Sequence, residues 1–460
     1  MAIAQNYHMH DDQIQKQLAL GTQYYQSGKL PAAQGCFQQA LQMQPDNANA
    51  WHFLGLVAEQ QNQYQTAIKC INKSLKINPE SAIFHTNLGN IYQKQGDFQQ
   101  AILLYKKALS LQPDDVHAYY NLGFAYHEQG QLPQAITAYR KTIELKNDLA
   151  EAHSNLGIVL LSCGRFCEGF AEFEWRFKTE TFLHTKPKKS MWDGSDIQRK
   201  SIVLWNEQGL GDAIQFSRYA KLLRERGAKV VFSIEPALMV LFQKYLQEKF
   251  EVINKNFCNI YAYDYHASLM SLPRIFNTTF DTIPRTIPYI FAPNPLPSRC
   301  IIPASKAYRI GIVWSAGKLN PQFHQKKSCS PELLIDLLEV GNVSLYSLQV
   351  GDDAPQIQPW LNCDRVHDLS PVLNDFVDTA SVIQQLDLVI TVDTSVAHLA
   401  GAMGKPVWVL LPLIPDWRWQ LESEETPWYP TMRLFRQTSR GDWKSVFYQV
   451  KQRLAEVIPV

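Results

Sequence analysis

Two short stretches hold residues whose types and spacing can do chemistry. In EQGLGDAIQ, residues 207–215, the carboxylates Glu207 and Asp212 flank a turn built on Gly209 and Gly211. A carboxylate there can take a proton, and the amides of a helix opening there can hold an anion. In DTSVAH, residues 393–398, the chain runs straight from an apolar strand into a helix of small residues. With Asp393 and Thr394 as caps, the free amides of Thr394, Ser395 and Val396 suit a diphosphate. His398, one turn in, either meets phosphate or fills a polar gap in the core. Lys326, Lys327 and Ser328 follow another strand and can approach the same place, or form a solvated loop. The first stretch lacks the G-x-G-x-x-G spacing and the Lys-Ser/Thr of a P-loop, so the phosphate role falls to the second.

Both stretches sit at strand-to-helix junctions of a βαβ pattern, which implies parallel α/β sheets. One half spans 201–300, with strands SIVLW and KVVFSI and a helix from about Asp212 to Arg226. A second start, YRIGIVWSAG, opens the half at 301–440 after the proline-rich stretch PYIFAPNPLPSRCIIPAS, which reads as a hinge. Here Ser330 and Pro331 open a helix, VSLYSLQ forms a strand over 343–349 that ends in Gln349, and LDLVITV leads to Asp393. Two such halves leave a cleft at the carboxyl ends of their strands. Residues 441–460 form a last amphipathic helix, expected to pack back across the hinge. Trp417, Arg418, Trp419 and Trp428 crowd one segment, where aromatic faces suit a sugar or nucleobase and equally an apolar lid.

Before a linker at 183–200, rich in Lys and interrupted by Pro and Gly, the chain is periodic. Leu-Gly recurs at 20, 54, 88, 122 and 156, always 34 residues apart. Ala33, Phe37, Ala40, Pro45, Trp51, Ala67 and Pro79 fall at the offsets of the tetratricopeptide repeat. Residues 14–182 therefore read as an α-solenoid of five repeats. The last decays into FCEGFAEFEWRF and acts as a cap. Gly55 and Ala67 let paired helices approach, and Tyr105 and Tyr139 fill the space between repeats. The concave face of such an array suits a protein or peptide segment. Residues 1–13 read as a disordered N-terminus.

Lys and Arg number 44 against 43 Asp and Glu, so no bulk field gathers nucleic acid or anionic lipid. There is no secretory leader and no membrane-length apolar run, which makes the cytoplasm the expected location. Eight cysteines without a second CxxC or a His pair at zinc spacing read as reduced thiols. No metal site is expected.

VDTSVAHLAGAMGKPVWVL, taken with EQGLGDAIQ, resembles the family 9 glycosyltransferases, which include the lipopolysaccharide heptosyltransferases and have a GT-B fold. LPLIPDWRWQLESEETPWYPTMRLFRQ with FCEGFAEFEWRF looks like a bacterial subgroup that joins tetratricopeptide repeats to such a domain. The resemblance implies a repeat solenoid followed by a GT-B pair of Rossmann-like domains, and an inverting, metal-independent transferase without cofactor. A nucleotide-sugar donor would lie at Asp393, Thr394, Ser395, Val396, His398, Lys326, Lys327, Ser328 and Gln349. The acceptor, a protein or glycan, would lie at Gln208, Gly209, Gly211, Gln215 and Arg218. Asp212 would be the base, kept ionised by its helix start, with Glu207 as the second carboxylate. Those enzymes usually carry Gly where this chain has Ser395. The absence of any Asp-x-Asp triplet agrees with a metal-independent reaction. The alternatives are a non-catalytic repeat scaffold with a degenerate GT-B domain, and a sugar-nucleotide epimerase.

Overall fold

A computed structural model describes residues 2–183, 187–318 and 321–458. Met1, residues 184–186 of the expected linker and residues 459–460 of the last segment lie outside the described residues. The chain divides into two compact units, residues 1–159 and 160–460.

The first unit is helical: α1 (Ala2–Gln26), α2 (Leu30–Met43), α3 (Ala48–Gln60), α4 (Tyr64–Ile77), α5 (Ala82–Lys94), α6 (Phe98–Leu111), α7 (Val116–Glu128), α8 (Leu132–Leu145) and the start of α9 (Ala150–Ser162). The backbone of residues 2–13, expected to be disordered, belongs to α1. The turn inside each repeat needs one residue in the left-handed region. Gly28, Asn62, Gly96, Gly130 and Gly164 supply it at 34-residue intervals, with φ between 59° and 81°. Asn62 takes the place of glycine because its short polar side chain tolerates that region. Asn47 and Asp115 cap the first helices of their repeats, accepting from Ala50 N at 3.0 Å and Ala118 N at 3.1 Å. α2, α4 and α6 stop two residues before Pro45, Pro79 and Pro113, and α8 stops at the same point before Asn147.

The glycine of each of the first four Leu-Gly pairs faces a bulky side chain sixteen residues on. A Cβ at Gly21, Gly55, Gly89 or Gly123 would meet Phe37, Ile71, Tyr105 or Tyr139 within 3.0 Å. Tyr105 and Tyr139 thus fill a notch inside their own repeat, which corrects the expectation that they lie between repeats.

The second unit begins inside the fifth repeat. α10 (Phe166–Phe173) turns its apolar face into the α/β core, with Phe166 6.0 Å from Trp428 and Phe170 5.5 Å from Trp417 by ring centroid. The division between the compact units thus falls near 160, inside the fifth repeat expected to run to 182. A helix with an apolar stripe does not announce which core it will join.

Two parallel sheets follow. The first holds β1 (Ser201–Trp205), β2 (Lys229–Ile234), β3 (Glu251–Asn254) and β4 (Tyr265–Ser268) in the order β3-β2-β1-β4. The second holds β5 (Tyr308–Val313), β6 (Val343–Ser347), β7 (Val366–Asp368), β8 (Leu388–Val392), β9 (Val407–Leu411) and β10 (Met432–Arg436) in the order β10-β9-β8-β5-β6-β7. β6, β8 and β9 are buried along their whole length, as parallel strands covered on both faces must be. The strand order reverses at β5 and β8, which opens a crevice at their carboxyl ends. The helix expected over 212–226 is split into α11 (Leu210–Phe216), a 3-10 turn and α12 (Ala220–Glu225). The last helix, Trp443–Val457, does not pack back across the hinge. Its Val446, Phe447, Val450 and Leu454 join the core of the second sheet with Leu334, Leu337 and Phe435. Among the described residues no helix is long and apolar enough to cross a membrane.

The glycine notch gives one substitution opposite signs at two places. At Gly89 a Cβ would lie 2.7 Å from the ring of Tyr105, which is fully buried and bonded through its hydroxyl to Asn90. Gly89→Ala should cost about 1–3 kcal/mol through overpacking, more than helix propensity returns. Gly35→Ala, on α2 with nothing within 4 Å of the new Cβ, should stabilise by up to about 1 kcal/mol. Denaturant unfolding of the two variants checks both signs.

Candidate functional site

Three strand ends converge in the second unit. β1 leads through residues 206–209 into α11, β8 leads through Asp393 into the helix Ser395–Ala402, here the cleft helix, and β9 leads to the 3-10 turn Trp417–Trp419. α11 and the cleft helix pack on each other. Gly211 makes that possible, since a Cβ there would stand 2.6 Å from Cδ2 of His398. The glycine therefore gives room to a helix of the other sheet, not to an acceptor. Gly209 is exposed, and a Cβ there would meet only Asp212 Oδ2 at 3.4 Å.

Asp212 closes its own helix start, Oδ2 accepting from Gly209 N at 2.9 Å. Its Oδ1 accepts from Arg418 Nη2 at 2.5 Å, across 206 residues of sequence. Arg418 is buried and donates also to Gln215 Oε1 at 2.7 Å and to Asp416 Oδ1 at 2.7 Å. Burial, with repulsion from Asp416, holds the Asp212 carboxyl above the usual range although Arg418 pulls it down. The expectation that the helix start keeps Asp212 an ordinary ionised carboxylate gives way to a basic one, because dehydration outweighs the amide. Burial opposes the charge on Arg418 as well, but Asp416 and Asp212 outweigh it and hold its proton more tightly than usual.

A second pair lies beside the first. Lys327, at the end of the helix Pro321–Lys327, donates to Asp393 Oδ2 at 2.5 Å. Burial alone would raise the Asp393 pKa, and Lys327 with its neighbours brings it below the usual range. Asp393 therefore does not cap the cleft helix. Neither does Thr394, whose hydroxyl lies 3.1 Å from that of Thr391. The expected caps are spent elsewhere, so the helix opens uncapped, with Thr394, Ser395 and Val396 half-buried. A helix start without side-chain caps keeps its first amides for a ligand or solvent.

Other expected site residues turn out to hold the scaffold. Glu207, with no side-chain exposure, takes Arg176 at 2.8 and 2.9 Å through one oxygen. Burial raises its pKa against the pull of Arg176. Paired with Arg176 and closed off from solvent, it anchors the segment after α10. Arg218 is buried against main-chain carbonyls of Gln215, Pro284 and Trp428 and the hydroxyl of Tyr289, which take up its donors. Gln215, fully buried, serves Arg418 and leaves Nε2 unpartnered. Gln208 is half-buried, its carbonyl accepting from Asn206 Nδ2 at 3.3 Å. Gln349 accepts from the amides of Trp314 and Ser315 at 3.3 and 2.9 Å and ties the ends of β5 and β6 together. Ser328 Oγ accepts from Ala316 N at 3.0 Å, which folds the loop after β5, and Lys326 is half-buried beside Lys327.

His398 fills the polar gap. It is buried, hydrogen-bonded through Nδ1 to Tyr429 Oη at 3.0 Å and stacked on Trp419 at 5.4 Å. Trp417, Trp419 and Trp428 are buried too, so the aromatic segment is an apolar lid and offers no open face to a sugar or base. Arg418, grouped in the sequence with the aromatic segment, proves to be the charged centre of the site. Its signal was available: a lone arginine between two tryptophans, preceded by Asp416, is a charge in an apolar run and needs acidic partners once buried.

The model of the cytochrome c-type biogenesis protein H TPR domain matches residues 36–148, within the repeats. The N-terminal region is therefore a tetratricopeptide-repeat domain, a scaffold of the kind that takes a protein partner. Protein FlbA of Caulobacter vibrioides is 25% identical over 329 residues, covering 65% of this chain and 54% of FlbA. The chain thus spans about half the length of that curated relative. Among solved structures, PilF of Pseudomonas aeruginosa is 17% identical with a TM-score of 0.37, covering 47% of this chain and 87% of that one. A MamA fragment from Desulfovibrio magneticus RS-1 is 20% identical with a TM-score of 0.33, covering 38% of this chain and 98% of its own.

Burial, helped by Arg418, pulls the His398 pKa down from 6.5 to about 3. The unfolded chain binds this proton below pH 6.5 and the folded chain does not, so the stability it contributes is complete above pH 6.5 and is lost as the pH falls toward 3. Between pH 7 and pH 5 the loss is about 2 kcal/mol. The raised pKa of Asp212 works in the opposite direction, and comparison with His398→Gln separates the two. The variant should lose about 2 kcal/mol less than the parent between those pH values, read by denaturant melts of each protein at both.

Proposed function

We propose that the second unit is a glycosyltransferase of GT-B arrangement, inverting and metal-independent, which moves a sugar from a nucleotide sugar to a protein or glycan acceptor presented by the repeats. The uncapped start of the cleft helix carries this reading. It lies at the carboxyl end of β8, where the strand order reverses, next to Lys327 and facing the carboxylate of Asp212 on the other sheet's helix.

Asp212 takes the proton of the acceptor hydroxyl, and the acceptor oxygen forms its bond to the anomeric carbon. The bond from that carbon to the diphosphate oxygen breaks on the opposite face, its electron pair leaving with the nucleoside diphosphate. The amides of Ser395 and Val396, with Lys327, meet the charge that develops there. The raised pKa of Asp212 suits a base, since it accepts a proton more readily than an ordinary carboxylate.

A non-catalytic scaffold is the second reading, and one observation favours it: both oxygens of Asp212 are occupied, one by Gly209 N and one by Arg418. A thermal-shift panel of ADP-, UDP-, GDP- and dTDP-sugars on the full chain separates the two. One nucleotide class should raise the melting temperature, and Asp212→Asn should then reduce transfer by about 10²–10⁴-fold with donor binding retained. A flat panel favours the scaffold. Conversion of one sugar nucleotide into another without acceptor marks an epimerase.

A further inference from the structure

Arg418 holds three partners, and two of them belong to the facing sheet's helix: Asp212 at 2.5 Å and Gln215 at 2.7 Å. The carboxamide of Gln215 lies on the guanidinium, fully buried, and its Nε2 has no acceptor. A buried donor beside a guanidinium lacks an oxygen that a ligand can bring. The cleft helix opens uncapped beside the Lys327–Asp393 pair, so its amides lack an acceptor as well. The segment that carries Arg418 is itself held in an unfavourable form: Gln420, directly after the turn Trp417–Trp419, stands at φ 55° and ψ −175°, a region that belongs to glycine. Each oxygen of Asp212 already accepts one hydrogen bond, and the guanidinium of Arg418 on Oδ1 lowers the affinity of that carboxylate for a proton.

We infer that Arg418 is an exchange residue: in the empty cleft it masks Asp212, and when a diphosphate arrives its guanidinium passes to the phosphate oxygens, which uncovers Asp212 as the base. The inference rests on the glycosyltransferase reading. A diphosphate offers a guanidinium two or more negative charges and paired oxygens where Asp212 offers one charge and one oxygen. Gln215 Nε2 donates to the same phosphate. Donor binding and activation of the base are thereby one event, and the acceptor finds a competent carboxylate only when donor is present.

Calorimetric titration of the full chain with inorganic pyrophosphate tests it. The parent should bind, and Arg418→Met should weaken binding by about tenfold or more, the effect of losing a charge-assisted contact. Asp212→Asn should tighten binding by about threefold or more, because a carboxamide no longer competes for the guanidinium. The double variant should bind like Arg418→Met. If Arg418→Met melts early, Arg418→Lys replaces it, and the Asp212→Asn arm stands alone in any case. Unchanged or weaker binding by folded Asp212→Asn overturns the exchange but leaves the glycosyltransferase reading in place, provided the parent binds a nucleoside diphosphate. A parent that binds neither pyrophosphate nor any nucleoside diphosphate ends both.

Discussion

One guanidinium joins the two sheets of the second unit. Arg418 comes from the segment after β9 and is met by Asp212 and Gln215 from α11, so the helix of one sheet is fixed on the loop of the other. The helix contact beneath it has the same register: His398 fits against Gly211 and packs on Trp419 and Tyr429. A buried ion pair is a weak source of net stability, since dehydrating two charges costs about what their attraction returns. Its contribution is geometric. It keeps a carboxylate, an uncapped helix start and a second cation, Lys327, in one small cleft.

Asp212, Asp393 and Asp416 face Lys327 and Arg418, and His398 stays neutral at physiological pH because its pKa lies near 3. Burial, with repulsion from Asp416, raises the proton affinity of Asp212, the carboxylate whose partner is shared with Asp416. The same features that make the empty cleft self-contained make it responsive to an anion, because a ligand richer in charge than a carboxylate can draw on both cations and on helix amides at once.

Periodicity made most of the architecture legible in the sequence. The 34-residue repeat, the prolines after α2, α4 and α6, and the alternation of apolar strands with amphipathic helices all express local rules, and the structure follows them. The strand-to-helix junctions at Asp212 and Asp393 were legible for the same reason. Long-range pairing was not. Nothing local in FCEGFAEFEWRF shows that Phe166 and Phe170 pack on Trp428 and Trp417, or that Arg176 is the partner of Glu207. Asp393 has the sequence of a helix cap and is drawn away by Lys327, 66 residues earlier. Arg218 and Gln349 have the sequence of polar side chains available beside a cleft, and in the fold both are buried with their hydrogen bonds on the protein's own groups.

The central claim is that Arg418 and Asp212 act on each other directly and hold the two sheets in register. A double-mutant cycle on unfolding of the full chain, with Asp212→Asn, Arg418→Met and the combination, measures that interaction. A coupling of about 1–3 kcal/mol is the expected result for a buried pair in contact. Additive effects, with coupling below about 0.5 kcal/mol, would contradict the account.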